Sequence, residues 1–304
     1  MKKSSIHALA ATAAMLGLLS GSVSIANAET HSNVQGNEIG QYGGKSYKLE
    51  GTSQVIPVTN LREIESGGIW EIVLTQGTTP SVRLEYDRNI ADKLVVRVRG
   101  GELYLGHSRN LSNNRDAHKA VAYITVSNLR SLDISGASEV TAKNTILGGH
   151  DFELELSGAS MAKDMTVRAS ELSLDVSGAS KASGFTAEAS RKLDISVSGA
   201  SVAIVKSQGT NAETEADLSG ASKLTLSGST SRFEFDASGS SRINCRNFVA
   251  QDCEGEASGA SDAIIHVKRT LDLEATGSSN IKVYGKPTNI RRARDGRAGD
   301  IDIM

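Results

Sequence analysis

Seven carboxylates between residues 133 and 274 of this 304-residue chain share one address. Asp133, Glu155, Asp175, Asp217, Asp236, Glu256 and Glu274 each stand two residues before a Ser or Thr that opens a recurring four-residue phrase, and only Ser196 breaks the series. Four residues before the same Ser or Thr, six of eight positions are again acidic: Glu153, Asp194, Glu215, Glu234, Glu254 and Asp272, with Ser131 and Ser173 completing the column. Two unit charges stacked about 5 Å apart repel by about 1 kcal/mol even at the dielectric of water. Such a face tolerates itself only if it is screened, bridged by cations or offset by bases, and Lys181, Lys223 and Arg242 on the following segment are the candidate bases. The simplest reading is a solvated face that discourages strand aggregation. The sharper one is binding of divalent cations or of a basic partner along the first column, Asp133 to Glu274.

Other chemistries fare worse. Calcium takes about six to eight oxygens in a cage, which two flat columns do not supply, and the calcium-binding nonapeptide Gly-Gly-x-Gly-x-Asp is absent. A lyase or hydrolase needs a local carboxylate cluster in a cleft, whereas these acids are spread evenly and single out no repeat. Neither Gly-x-Ser-x-Gly nor His-Glu-x-x-His occurs. Ser160-Met161-Ala162-Lys163 and Ser279-Asn280-Ile281-Lys282 match Ser-x-x-Lys, a match that a repeat rich in Ser and Lys produces by chance. His31, His107, His118, His150 and His266 are scattered without metal-ligand spacing. No catalytic residue, metal or cofactor is expected. Net charge is −2, so nothing global points to nucleic acid.

The elements that must position these acids come from the phrase itself. Leu132-Asp133-Ile134-Ser135-Gly136-Ala137-Ser138 returns with glycines at 158, 178, 199, 220, 239, 259 and 277, in steps of 22, 20, 21, 21, 19, 20 and 18 residues. A fixed period near twenty is the mark of a solenoid, whose repeats bury their apolar side only against one another. One residue before the Ser or Thr stand Ile134, Leu156, Val176, Val197, Leu218, Ala237, Ala257 and Ala275; three before stand Leu132, Leu154, Leu174, Ile195, Ala216, Phe235, Gly255 and Leu273. Apolar and acidic columns therefore alternate with period two, as on a strand with one buried face. Beyond the phrase, Val140, Leu224, Ile243 and Ile281, then Ala142, Val205, Leu226, Ile265 and Val283, begin a second inward-facing strand. The glycine permits the corner between them. The expectation is an all-β parallel solenoid with coils of about 20 residues, at least two strands per coil and about 4.8 Å between coils.

The chain divides around this array. Lys2 and Lys3, the apolar run Ile6 to Leu19, and Ala26-Asn27-Ala28 read as a signal peptide over residues 1–28, which places the mature chain in the periplasm, at the cell surface or outside the cell, without spanning a membrane. Residues 29–54 read as a flexible leader. Residues 55–127 read as less regular coils at the N-terminal end of the array, with strand-like runs at Ile69–Thr75, Ser81–Tyr86, Leu94–Arg99, Glu102–Leu105 and Val121–Val126, a helical turn near Asn89–Lys93 and a loop from His107 to Lys119. Residues 128–285 hold the phrase-bearing coils. In residues 286–304 Pro287 stops the pattern, and Arg291, Arg292, Arg294 and Arg297 make a basic, flexible tail. Cys245 and Cys253 are either a disulfide or two buried thiols, since spacing alone does not supply bridging geometry.

The segment Leu61-Arg62-Glu63-Ile64-Glu65-Ser66-Gly67-Gly68-Ile69-Trp70-Glu71-Ile72-Val73-Leu74-Thr75-Gln76-Gly77, followed by Leu94–Leu105 and the Ser-Gly-Ala-Ser series, resembles the putative auto-transporter adhesin, head GIN domain family over residues 55 to 285. The resemblance implies a right-handed parallel β-helix in an exported bacterial protein and carries over no catalytic residues. Taken together, residues and resemblance point to a non-catalytic binding module, an adhesin for a glycan or a cell-surface or envelope protein. The alternatives are a carbohydrate-active β-helix enzyme and a structural envelope component that self-associates through open coil ends.

Overall fold

The computed structural model describes residues 44–108, 111, 118–209, 211–295 and 298–304. The expected signal peptide and the first part of the expected leader lie outside these residues. The described chain is nearly all strand. The N-terminal strands are β1 (Lys45–Tyr47), β2 (Ser53–Ile56), β3 (Glu63–Gly68), β4 (Glu71–Gln76), β5 (Ser81–Tyr86), β6 (Leu94–Arg99), β7 (Glu102–His107) and β8 (Ala120–Val126). The repeats form β9 (Ser131–Gly136), β10 (Glu139–Ala142), β11 (Ile146–Leu156), β12 (Met161–Lys163), β13 (Thr166–Val176), β14 (Lys181–Val197), β15 (Val202–Ser207) and β16 (Glu213–Leu218). They continue in β17 (Lys223–Ala237), β18 (Arg242–Ala257), β19 (Asp262–Ala275) and β20 (Asn280–Tyr284), and β21 (Asn289–Asp295) and β22 (Asp300–Ile303) end the chain.

The repeats stack as a parallel β-solenoid of about 8 turns of roughly 20 residues. Each coil has three sides rather than the two legible in the sequence. In β14 they follow one another within one strand. Lys181–Ser183 lies on the second side, Gly184 turns at φ +66, Phe185–Ala189 forms the third side, and Lys192–Val197 forms the first side of the next coil. Register shifts between Leu147 and Gly149 and between Ala169 and Glu171 mark the corner from third to first side. On the first side Phe152, Leu154 and Leu156 are buried while Glu153 and Glu155 between them are exposed, so the period-two pattern is realised residue by residue.

The corner phrase is fixed by backbone contact. From Gly158 to Gly277 each corner glycine has φ between +70 and +74, and a Cβ placed on it would lie 2.5 to 2.9 Å from the carbonyl oxygen of the glycine one coil below. That carbonyl accepts a hydrogen bond from the N–H of the next residue above, as in Ala179 to Gly158 and Ala200 to Gly178, both 2.8 Å. The last Ser of each phrase turns inward: Ser138, Ser160, Ser180, Ser201, Ser222, Ser241, Ser261 and Ser279 are all buried.

The N-terminal end departs from a simple run of irregular coils. The β3–β4 coil is inserted between the β7–β8 coil and the β9–β10 coil, because β3 pairs in parallel with both β7 and β9, and β4 with both β8 and β10. The chain reaches β7 through β5, a 3-10 turn at Arg88–Lys93 and the β6–β7 hairpin over Gly100-Gly101. β6 and β5 lie antiparallel on β7 and β8, and β1 and β2 lie antiparallel on β6 and β5. Residues 45–54, expected within the flexible leader, thus hold all of β1, the first residues of β2 and buried Leu49, because pairing there covers strand edges that would otherwise be open.

The C-terminal tail is likewise ordered. β21 pairs in parallel with β19, and β22 with β20, so Asn289–Asp295 and Asp300–Ile303 continue two sides of the solenoid. Pro287 sits in the turn between β20 and β21 beside Lys286 at φ +55 and interrupts no ladder. Among the described residues no helix is long and apolar enough to cross a membrane.

The glycine corner makes a quantitative prediction. Gly178→Ala meets both a positive φ and the Gly158 carbonyl, and should lower unfolding free energy by about 2 kcal/mol or more. Gly51 also has a positive φ, at +75, but nothing lies within 4 Å of its Cβ position. Gly51→Ala should therefore lose only the conformational part, about 1 kcal/mol. Denaturant melts of the two variants would separate stacking from backbone preference; equal losses would remove the stacking argument.

Candidate functional site

The first side brings all seven sequence-selected carboxylates into one outward column. Strand register places Asp133, Glu155, Asp175, Ser196, Asp217, Asp236, Glu256 and Glu274 one above another, coil by coil. The column also extends below the repeats to Glu65, which pairs with Asp133. Its signal was present in the sequence, because Glu65 stands three residues before Gly68 as Asp133 stands three before Gly136. At the other end the ladder reaches Arg294, in register with Glu274, while the second column ends with Arg292 against Asp272.

Asp133, Asp175 and Glu274 are partly buried and Glu155, Asp217, Asp236 and Glu256 exposed at the surface, but packed neighbours still desolvate several of these carboxyl groups, and that sets their chemistry. Burial pushes Asp175 and Asp217 up to about 6, with the acids above and below adding repulsion. Asp133, Glu155 and Glu65 are raised by burial first and by neighbouring acids second, and Asp236 by burial. Asp133 Oδ1 is buried without a hydrogen-bond partner.

Bases do offset part of the face, though not the ones expected. Arg242 pairs with Asp262 at 3.0 Å on the second side, and among the described residues Lys181 and Lys223 make no ion pair. The corner turns that strand onto another side of the coil, away from the acids. The compensating bases stand six residues before the Ser. Lys192 reaches Glu215 at 2.7 Å and Asp194 at 3.3 Å, and Arg232 reaches Glu234 and Glu254, each at 3.2 Å. All four acids belong to the second column. The first column, from Asp133 to Asp236, is left with carboxylates as its nearest charges.

Two further groups are created only by folding. His150, Asp151 and Glu171 lie with ligating atoms within 4.8 Å of one another, and so do Glu213, Glu215 and Glu234. Each already holds a guanidinium: Arg191 contacts Glu171 at 3.1 Å and His150 at 3.5 Å, and Arg232 contacts Glu234. A groove of about 590 Å³ crosses the corner from third to first side between Leu147, Arg168, Ser170, Glu188, Ser190 and Gln208, with Arg168 and Glu188 paired at 2.6 Å. Elsewhere, the hydroxyls of the two Ser-x-x-Lys matches are turned inward: Ser160 Oγ lies 3.3 Å from Ser180 Oγ, and Ser279 Oγ donates to the carbonyls of Thr276 and Ala257. Cys245 and Cys253 are free, buried thiols, so the disulfide alternative is not the one present here, and burial pushes both thiols up.

The family model of the putative auto-transporter adhesin, head GIN domain matches the chain over residues 60–203 and again over 185–287. The chain belongs to this family. No curated protein matches it. Solved structures share its fold at low identity. A putative adhesin from Parabacteroides merdae superimposes with a TM-score of 0.63 at 15% identity, covering 83% of this chain and 95% of that one. A putative adhesin from Parabacteroides distasonis gives 0.62 at 17%, covering 86% and 98%. A putative lipid binding protein from the same organism gives 0.61 at 17%, covering 83% and 96%. The head GIN chain seen here is thus a stack of the same architecture, with its own outward columns.

Those columns make stability depend on pH in a definite direction. Asp175 and Asp217 take up a proton near pH 6 in the folded protein but only near the ordinary 3.8 when unfolded. Between these values the folded state holds more protons, so stability falls as pH rises. Melting temperature should therefore increase on acidification from pH 7.5 to about 5. The double variant Asp175→Asn with Asp217→Asn should melt higher than the parent at pH 7.5 and show a flatter profile. A parent profile that is level across this window would contradict the raised proton affinities of Asp175 and Asp217.

Proposed function

We propose that this chain is an exported, non-catalytic binding module, an adhesin that engages a cell-surface glycan through the acidic first side. The observation that carries the reading is the column Asp133, Glu155, Asp175, Asp217 and Asp236, whose outward carboxylates have raised proton affinities from packed neighbours and stacked like charges. Such groups are poorly satisfied by water and by the protein, so hydrogen-bond donors arriving at coil spacing gain more from them than from fully hydrated acids. Sugar hydroxyls supply such donors without a net charge. A straight column repeated coil after coil suits many weak contacts along an extended chain better than one deep pocket.

Membership of a family named for adhesins supports the same reading. Export rests on the N-terminal Lys2 and Lys3, the apolar run Ile6–Leu19 and Ala26-Asn27-Ala28, with residues 1–28 removed as a signal peptide. A protein ligand on the cell surface is the alternative occupant of the same face.

The test is a glycan array probed with the folded chain, with and without calcium, followed by titration of any hit. Binding should be saturable and should drop at least tenfold in the triple variant Asp175→Lys, Asp217→Lys, Asp236→Lys. It should also weaken as pH falls through about 6, where Asp175 and Asp217 take up protons. Binding that ignores both the charge reversal and the pH would place the site elsewhere, with the groove beside Arg168 and Glu188 the next surface to probe. Release of reducing or unsaturated sugar ends from a bound glycan would overturn the non-catalytic reading.

A further inference from the structure

We infer that the second side of the solenoid holds a linear anionic polysaccharide, laid along the stack between two columns of bases. The inference is independent of what the acidic first side binds. The corner phrase turns the chain from the first side onto the second, so Lys181, Lys223 and Arg242 face away from the acids. With Lys206 and Arg246 they make five bases at the outward positions of this side between Lys181 and Arg246, where no outward position is acidic. The same coils carry acids on the first side, so the two sides are opposite in sign.

The bases border a track. Lys181, Val202, Lys223 and Arg242 stand in one column, in register coil by coil. Two residues along, Ile204, Thr225 and Asn244 form the next outward column, exposed and without charge. Two residues further, at the edge of the side, come Lys206 and Arg246, both exposed. Columns stand about 7 Å apart and coils about 4.8 Å, which puts Lys181 and Lys223 about 10 Å from each other. Lys181, Lys206 and Lys223 make no ion pair among the described residues. Arg242 shares Asp262 of the next coil, and Arg246 lies 4.7 Å from the Tyr284 ring, which steadies the guanidinium without neutralising it.

The chemistry of the track selects its occupant. A polyanion is repelled by the first side and drawn to this one. The middle column adds what a sugar chain uses beyond charge. Thr225 and Asn244 can each donate and accept hydrogen bonds, and Ile204, 44% exposed, offers an aliphatic surface to the carbon-bound face of a ring. A chain lying along that column has bases at both edges, and its carboxylates, sulfates or phosphates meet them repeatedly along the stack. No aromatic ring stands among these positions to stack a nucleic-acid base. A bilayer would find Ile204 as the single exposed large apolar side chain of these coils.

Isothermal titration of the full chain with polygalacturonate and with dextran sulfate should show saturable binding to at least one of them, and none to uncharged dextran. Binding should fall at least tenfold between about 50 and about 500 mM salt. The triple variant Lys181→Glu, Lys206→Glu, Lys223→Glu should lose at least tenfold more, with a melting temperature like the parent's because these side chains are exposed. The milder Lys181→Gln, Lys206→Gln, Lys223→Gln should lose part of the affinity. Ile204→Ala with Asn244→Ala changes no charge and should weaken binding several-fold. Asp175→Asn with Asp217→Asn, on the first side, should bind as the parent does, which separates this site from the acidic one. A parent chain that binds neither polymer overturns the proposal, and so does binding indifferent to the triple reversal. Full affinity in the uncharged double variant would reduce the track to diffuse attraction and overturn it. Phosphatidylglycerol vesicles or duplex DNA held through the same lysines as tightly as either polymer would overturn the assignment to a polysaccharide.

Discussion

Each coil hangs on the one below by a backbone hydrogen bond at the glycine corner, and the rest of the molecule inherits its spacing from that contact. The bond runs from the residue after one glycine to the carbonyl of the glycine beneath, at 2.6 to 2.8 Å along the whole stack. Only a residue without Cβ fits, for two separate reasons: φ is near +70, and the carbonyl below occupies the space a Cβ would need. Because the corner cannot drift, the strands on either side are held in exact vertical register. Leucine then falls on leucine inside, and acid on acid outside.

This registry makes the outer face both a liability and a resource. A one-residue slip would relieve the acid-on-acid contacts, but it would also turn every buried Leu, Ile and Val of that strand toward water. Burial of apolar side chains is worth about 1.5–3 kcal/mol each, against about 1 kcal/mol for a pair of solvated charges, so the interior wins and the charges stay stacked. The chain answers locally. Lys192 and Arg232 each bridge acids of neighbouring coils in the second column, while Asp133, Glu155, Asp175, Asp217 and Asp236 keep raised proton affinities. Unrelieved strain confined to one column of a regular lattice is what one expects of a surface that is completed by something else.

What could be read from the sequence follows the same division. The corner, the first side and the start of the second were legible because their inward positions repeat at fixed offsets from the Ser or Thr. The third side was not. Its inward residues include Val167, Ala169, Phe185, Ala187, Phe248 and Ala250, which vary in size, and the turns around it absorb the changes in repeat length from 18 to 22 residues. The compensating column was hidden because it alternates in sign: Glu171, Lys192, Glu213, Arg232, Asp252. The β3–β4 coil was hidden for another reason, since chain order differs from spatial order when β7–β8 stacks beneath it. The tail read as flexible because Pro287 and the arginines mask β21 and β22, whose order comes from ladder bonds to β19 and β20 and not from side-chain pattern.

A coil of this kind constrains few of its positions. The corner glycine, the buried Ser and the alternate inward residues carry the stacking, and outward positions can change without cost to the ladder. That explains how structures at 15 to 17% identity still superimpose over more than four-fifths of this chain. It also locates where chains of this fold can differ in what they bind. In this chain the most distinctive residues of those columns are the acids along the first side from Glu65 to Glu274.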